Sequence, residues 1–133
     1  MDASIGGAIR TLAWYNRPAN ESLGSILSEH EALAMLPDTT WYGSVLALLC
    51  HIAISDTVWL NRTCPASVAR PSRLDLRFDT VGERVRQPRW QLLLHMFNHE
   101  THHRGAISQF LDEHDVANDY SNLVYYLRDD QRS

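Results

Sequence analysis

Four of the chain's seven histidines lie between residues 95 and 103. Three of them, His95, His99 and His103, are spaced by four residues, and they share one face of a helix because each residue turns an α-helix by about 100°. His102 falls at the edge of that face. Apolar residues accompany them, namely Met96, Phe97, Ile107, Phe110 and Leu111. Partly buried imidazoles need polar partners, so this segment predicts a helix whose histidines share a ligand.

Helical periodicity extends over most of the remaining chain. Apolar residues recur at intervals of three and four from residue 4 to 30, where Pro18 is expected to kink the helix or divide it in two. A second helix is predicted from about residue 43 to 61. It is nearly apolar around its middle, and we expect it at the centre of the fold. Residues 36–40 between these helices are expected to form a loop.

A different pattern separates the second helix from the histidine helix. Cys64 and Pro65 are expected to end the second helix, and residues 74–78 alternate between apolar and charged, which indicates a strand. A turn at 81–82 and a short returning strand at 83–86 would complete a small irregular hairpin.

The C-terminal part predicts two helices. The histidine helix is expected to run from about residue 88 to 113 with Pro88 as its first residue. A last short helix is expected over 120–128, with Asp119 as its N-cap. The fold class is therefore all-α: a helical bundle of up to four helices with a small hairpin, in one domain over residues 1–133.

Composition excludes several classes of function. The net charge of −4 and pI of about 5.9 give no basic face that would follow phosphates, so nucleic acid is not an expected partner. No apolar run is long enough for a membrane span, and the first 25 residues do not resemble a signal peptide, so we expect a cytoplasmic protein. Cys50 and Cys64 do not form a disulfide framework or a C-x-x-C motif. Cys50 is expected to be a small buried residue.

The histidine spacing indicates a metal site. His99 and His103 are one helical turn apart and can direct two imidazoles at one ion. His51, in the middle of the apolar second helix, is the third predicted ligand, although a histidine in that setting is often a core residue with one hydrogen bond. Three protein ligands would leave a fourth position for water or substrate, as in catalytic sites.

The stretch HETHH also matches the H-E-x-x-H motif of zinc proteases. The longer form of that motif needs a glycine and a histidine where this chain has Ala106 and Gln109. The other form needs a more distant glutamate, and Glu113 follows too closely in the same helix. Glu100 is rotated by about 100° from His99, so we expect a carboxylate at the helix surface or at an interface, and not a protease base.

Three stretches together resemble the DinB family, which is grouped with YfiT-like metal-dependent hydrolases. They are HMFNHETHHRG, the preceding LLCHIAISDTVWLNR and the following NLVYYLR. The resemblance implies a four-helix bundle, usually dimeric, that holds a divalent metal such as zinc, nickel or iron. It implies His51, His99 and His103 as the ligands, the same set that the spacing indicates. Relatives include thiol S-transferases, which implies a small-molecule substrate such as a low-molecular-weight thiol.

The chain departs from the family pattern between the second helix and the hairpin. Family members carry a further long helix there, and only a short loop separates residues 65 and 74 in this sequence. Loss of one bundle helix would expose a large apolar surface. We therefore expect a homodimer, in which a second subunit covers that surface.

Three interpretations of the histidines remain open. The first is a metal-dependent enzyme of thiol-transferase or hydrolase type, with His95 as a candidate acid or base. The second is a metal-binding stress or sensor protein without turnover, and the third is a bundle whose histidines only pack. Asn98, His102 and Arg104 are expected to surround the ligands, and Arg104 to anchor its helix through an ion pair. The sequence does not identify the metal or the substrate.

Overall fold

The structure, a computed structural model, describes residues 4–37, 42–63, 73–77, 84–118 and 123–130. Its elements in chain order are α1 (Ile5–Glu29), α2 (Glu31–Ala34), α3 (Val45–Thr63), β1 (Arg73–Arg77), β2 (Arg84–Pro88), α4 (Arg89–Glu113) and α5 (Leu123–Asp130). The prediction of an all-α fold with a small hairpin is confirmed. The one-turn helix α2 was not predicted.

Helix α1 begins after Ser4, whose Oγ accepts a hydrogen bond from the Gly7 amide at 3.1 Å. This bond satisfies one of the amides that a helix start leaves without a partner. The buried positions Tyr15, Ala19, Leu23 and Leu27 follow at intervals of four, so one face of α1 packs inward. The helix continues through Pro18, and the prediction that proline divides it is wrong.

Helix α3 begins after a tight turn. Gly43 has a φ of +83°, a conformation that glycine adopts without strain, and Ser44 then accepts a hydrogen bond from the Ala47 amide at 3.1 Å. The buried face of α3 carries Val45, Leu48 and Ile52. The predicted bounds of this helix are correct to within two residues.

Helix α4 lies between the other two long helices, with α1 packed on one side and α3 on the other. The expectation that the apolar second helix would be central is therefore wrong, because α3 leaves Ile54, Val58 and Leu60 exposed. Overall apolarity did not reveal which faces of a helix have neighbours. All three helices contribute to the core, which contains Leu23, Leu27, Ala34, Val45, Leu48, Ile52, Ile107, Phe110 and Leu111.

The two strands form an antiparallel pair in which Leu76 is opposite Val85. Pro88 is the last residue of β2 and the N-cap of α4. It was predicted as the first helical residue, and in the structure it lies one position before that residue. The predicted turn at 81–82, the N-cap at Asp119, the end of the loop at 38–40 and the short loop in place of a family helix lie outside the described residues.

Two further observations concern surfaces. None of the described helices is long and apolar enough to cross a membrane. The Cys50 side chain is exposed, so the expectation that it is a buried residue is wrong. Its neighbours Leu48 and Ile52 occupy the inward face of α3, and position 50 falls on another face of the same helix. Cys64 lies outside the described residues.

Candidate metal centre

Three imidazoles from two helices converge at one point of the α3–α4 contact. His99 Nε2 lies 3.0 Å from His103 Nε2 and 3.4 Å from His51 Nε2. One ring nitrogen from each of the three residues lies within 4.8 Å of the others. The sequence spacing placed His99 and His103 together, and the packing of α3 on α4 adds His51.

The spacing of these nitrogens fits a metal ion. Three imidazole nitrogens at zinc–nitrogen bond lengths in a tetrahedral arrangement lie about 3.4 Å from each other. Without an ion, the three facing nitrogens cannot all be hydrogen-bonded to one another, because each imidazole nitrogen either donates one N–H or accepts with one lone pair. The donor set is therefore compatible with metal binding.

The pKa shifts of His99 and His103 are also compatible with metal binding. Burial, and then the neighbouring imidazoles of His99, His51 and His102, lower the pKa of His103 to about 4. Burial also lowers the pKa of His99, with smaller contributions from His51 and His95. Near neutral pH both residues are thus uncharged, which is the form of histidine that binds metals.

Two hydroxyl groups contact the same nitrogen of His51. The phenol oxygen of Tyr42 lies 3.2 Å from His51 Nε2, and Ser55 Oγ lies 3.4 Å from it. The Tyr42 ring also packs on the rings of His51 and His103, with centroid distances of 4.5 and 5.4 Å. Our sequence interpretation missed both residues. Ser55 could have been found, because it lies four residues after His51 on a helix. Tyr42 could not, because it precedes α3 and a turn separates it from the helix.

A cavity of about 490 Å³ opens beside His51. This volume is in the range of small-molecule sites. Its lining is mostly apolar and comes from the start of α3 and the segment after α2; it comprises Met35, Ser44, Leu46, Ala47, Cys50, His51 and Ile54. The three-histidine cluster therefore has space for a small molecule on the His51 side.

The other predicted residues of the site lie further out. His95 is exposed; its ring packs on Trp59 at 5.3 Å and lies 6.2 Å from the His99 ring. His102 is exposed, with its ring 5.2 Å from that of His103. Asn98 is also exposed. His95 and His102 thus lie on either side of the three-histidine cluster, and neither lies as close to it as Tyr42.

The opposite side of α4 carries a buried ion pair. Arg104 Nη1 lies 3.3 Å from Glu100 Oε2, and the two side chains are 1% and 0% exposed. The prediction that Arg104 anchors its helix through an ion pair is confirmed. For Glu100 the surface alternative is wrong: the carboxylate lies at the interface between helices. The Glu100 side chain, rotated by about 100° from His99, still points inward because α4 packs against both α1 and α3.

Helix α1 supplies further partners to this ion pair. Arg104 Nη1 donates to the side-chain oxygens of Asn16 and Asn20, the latter at 3.0 Å, and Asn20 Nδ2 donates to Glu100 Oε2 at 3.2 Å. The guanidinium carbon also lies 5.4 Å from the centre of the Tyr15 ring. These contacts fix α1 against α4 next to the metal centre.

Asp56 of α3 completes the buried cluster. Its carboxyl group is hydrogen-bonded to that of Glu100, and burial, followed by the bond and the charge of Glu100, raises the Asp56 pKa to about 8, although the charge of Arg104 opposes the shift. Asp56 Oδ1 and Glu100 Oε1 are buried and have no other hydrogen-bond partner among the described residues. A proton on Asp56, donated to Glu100, satisfies both oxygens.

The part of the chain that carries the hairpin and the histidine helix resembles a known protein family. A family model described as DinB family matches residues 67–128. This match supports membership of the DinB family. The matched segment contains His99, His103 and the Glu100–Arg104 pair, whereas His51 and Asp56 precede it. The resemblance on which the family was predicted is therefore confirmed.

No curated protein and no solved structure matches this chain significantly. The DinB assignment and the three-histidine cluster are together compatible with metal binding.

Proposed function

We propose that this protein binds a divalent transition metal through His51, His99 and His103 and uses the remaining coordination position for chemistry on a small molecule. The observation that supports this most directly is the convergence of three Nε2 atoms, with separations of 3.0 and 3.4 Å along the cluster. Zinc, nickel and iron all suit imidazole ligands. The low pKa values of His99 and His103 keep these ligands uncharged and ready to bind.

We assign the chemistry to a thiol-transferase or hydrolase type of reaction in the cytoplasm. A divalent ion at this site would supply a Lewis acid that lowers the pKa of a thiol or a water molecule beside it. The cavity beside His51 has an apolar lining and would accept the body of a small substrate. A low-molecular-weight thiol is the substrate class to test first.

Metal content per subunit tests the metal site. Untagged protein purified without chelators is analysed by elemental mass spectrometry as wild type, His99→Ala and His102→Ala. His102 is an exposed histidine three residues from His99, so its substitution removes an imidazole of the same segment without removing a proposed ligand. We expect about one equivalent of metal in wild type and His102→Ala and none in His99→Ala. Equal metal content in all three proteins would contradict the proposal.

A catalytic role for His95 needs its own test. The exposed imidazole is one turn before His99 and contacts Trp59. Once turnover with a thiol has been found, His95→Ala should lower the rate while the metal content stays the same. An unchanged rate would remove His95 from the mechanism, and metal binding without any turnover would favour a sensor or storage role.

We also propose that the protein is a homodimer. Large apolar side chains are exposed on two packed helices, with Ile54 and Val58 on α3 and Trp90 and Leu94 on α4. Surfaces of this kind are typical of interaction sites. Sedimentation at micromolar concentration should give the mass of two chains, and the double variant Ile54→Lys and Leu94→Lys should give one. A wild-type monomer would contradict this proposal and leave the metal site unaffected.

A further inference from the structure

Tyr42 lies outside α3 and α4 and contacts two of the three proposed ligand residues, His51 and His103. Its phenol oxygen is 3.2 Å from His51 Nε2. Packing of its ring on both His51 and His103 fixes the direction of the hydroxyl. The position of Tyr42 next to Gly43, whose φ of +83° turns the chain into α3, ties the ring to the start of that helix.

The partner of this hydroxyl must change when a metal binds. In the structure as it stands, His51 Nε2 is the hydrogen-bonding partner of the phenol. A nitrogen that coordinates an ion has no lone pair left to accept a hydrogen bond. The phenol then needs another acceptor, and a partly buried hydroxyl without one would cost free energy.

Ser55 provides an instructive contrast. Its Oγ also lies near His51 Nε2, at 3.4 Å. A serine inside a helix can turn its hydroxyl to the backbone carbonyl four residues earlier, so Ser55 has a local alternative acceptor. Tyr42 is held at the tip of a long rigid side chain and has no such local alternative.

The geometry points to Tyr42 as the hydrogen-bond donor to a small anionic ligand, such as a thiolate, at the position that the three histidines leave open. This inference rests on the proposed function, since it requires the metal. It assigns to the site a preference for ligands that carry negative charge on the coordinating atom. A hydrogen bond to a charged acceptor is stronger than one between neutral groups.

Anion binding to the cobalt(II)-loaded protein tests this assignment. Cobalt(II) replaces the native metal, and its visible absorption reports the occupant of the open position without any need for turnover. Azide is titrated into wild type, Tyr42→Phe and Tyr125→Phe, the last being an exposed tyrosine on α5 that serves as the control. We expect Tyr42→Phe to weaken azide binding about tenfold, as loss of one hydrogen bond to a charged group does. Cobalt affinity should stay within about twofold in all three proteins.

Three other outcomes would overturn the assignment. Equal azide affinity in wild type and Tyr42→Phe would show that the phenol does not contact the ligand. A large loss of cobalt affinity in Tyr42→Phe, with a changed spectrum before azide is added, would make Tyr42 a fourth metal ligand. Failure of the wild-type protein to bind cobalt would instead remove the metal site itself, and the assignment with it.

Discussion

Asp56 of α3 and Glu100 of α4 face each other with their carboxyl groups hydrogen-bonded inside the protein. Two carboxyl groups that are hydrogen-bonded to each other cannot both be ionised, so one proton is shared between them. The ion pair of Glu100 with Arg104 leaves that proton with Asp56. A shared proton thus joins α3 to α4 at Glu100, which also accepts a hydrogen bond from Asn20 of α1.

The contribution of Asp56 to protein stability should therefore fall as the pH rises from about 4 to about 8. The Asp56 pKa is about 8 in the folded protein and near 3.8 in the unfolded chain, so the folded state binds more protons in this interval. This contribution to the free energy of unfolding is complete below pH 4 and is lost as the pH passes 8. Asp56→Asn keeps a donor to Glu100 and should remove that part of the pH dependence. Urea unfolding of metal-free protein at a series of pH values measures it.

The control for this experiment is Glu29→Gln, because Glu29 is exposed on α1. Its pH dependence should match that of the wild type. If Asp56→Asn and wild type lose stability in parallel up to pH 9, the shared proton does not exist.

The two Arg–Glu pairs found among the described residues should differ strongly in importance. Arg104–Glu100 is buried with a distance of 3.3 Å, whereas Arg17–Glu21 is exposed with the shorter distance of 2.8 Å. Arg104→Met should lower the free energy of unfolding by about 3–5 kcal/mol, because it leaves Glu100 charged and buried. Arg17→Met, also at an i,i+4 pair, should leave the unfolding curve unchanged, because water screens this pair.

A third variant separates charge from packing in the buried pair. The double variant Glu100→Gln and Arg104→Met removes both charges and should recover part of the stability that Arg104→Met loses. Equal unfolding midpoints for Arg17→Met and Arg104→Met would contradict the role assigned to burial.

Metal-free protein should also carry an acid-sensitive contribution from His103. The His103 pKa is about 4 in the folded protein and about 6.5 in the unfolded chain, so the unfolded state binds more protons between these values. Stability from this group is full above pH 6.5 and is lost as the pH falls to 4. The difference in thermal midpoint between wild type and His103→Gln should shrink over that interval. His30→Gln, at an exposed histidine, should show no such change, and the same trend in both variants would refute the assignment.

Metal should stabilise the folded protein by mass action. At a free zinc concentration 100 times the dissociation constant, the free energy of unfolding should rise by about 2.7 kcal/mol. Differential scanning fluorimetry with zinc and with a chelator measures the shift for wild type, His51→Ala and His102→Ala. The shift should vanish in His51→Ala and persist in His102→Ala. A zinc-dependent shift that survives loss of His51 would place the ion elsewhere.

Periodicity predicted the long helices well because each buries a regular stripe, as the spacing of Tyr15, Ala19, Leu23 and Leu27 shows. It could not predict which helix has two neighbours. The missing information on which faces of a helix have neighbours explains the differences at Glu100 and Cys50. For Glu100 the surface alternative was wrong and the interface alternative correct. Cys50 was expected to be buried because the middle of α3 is nearly apolar, and it is exposed.

Periodicity likewise predicted only part of the candidate site. Helical spacing placed His99 and His103 together. His51 was predicted as the third ligand because a neighbouring helix offers two further imidazoles, although its apolar setting alone favoured a core residue. Tyr42 reaches the site through the turn at Gly43, and no periodic pattern describes a turn. Asn20 reaches Glu100 across 80 residues of sequence, so only the packing of α1 on α4 brings them together.

His99 and Glu100 are consecutive residues, yet one faces the histidine cluster and the other the buried carboxyl group and arginine. Any rotation of α4 about its axis would move both side chains together. Polar contacts from α1 and Asp56 on one side, and imidazole ligands on the other, therefore determine the same angular setting of α4. Amide hydrogen exchange in α1, which contacts no histidine ligand among the described interactions, should consequently slow when the metal binds.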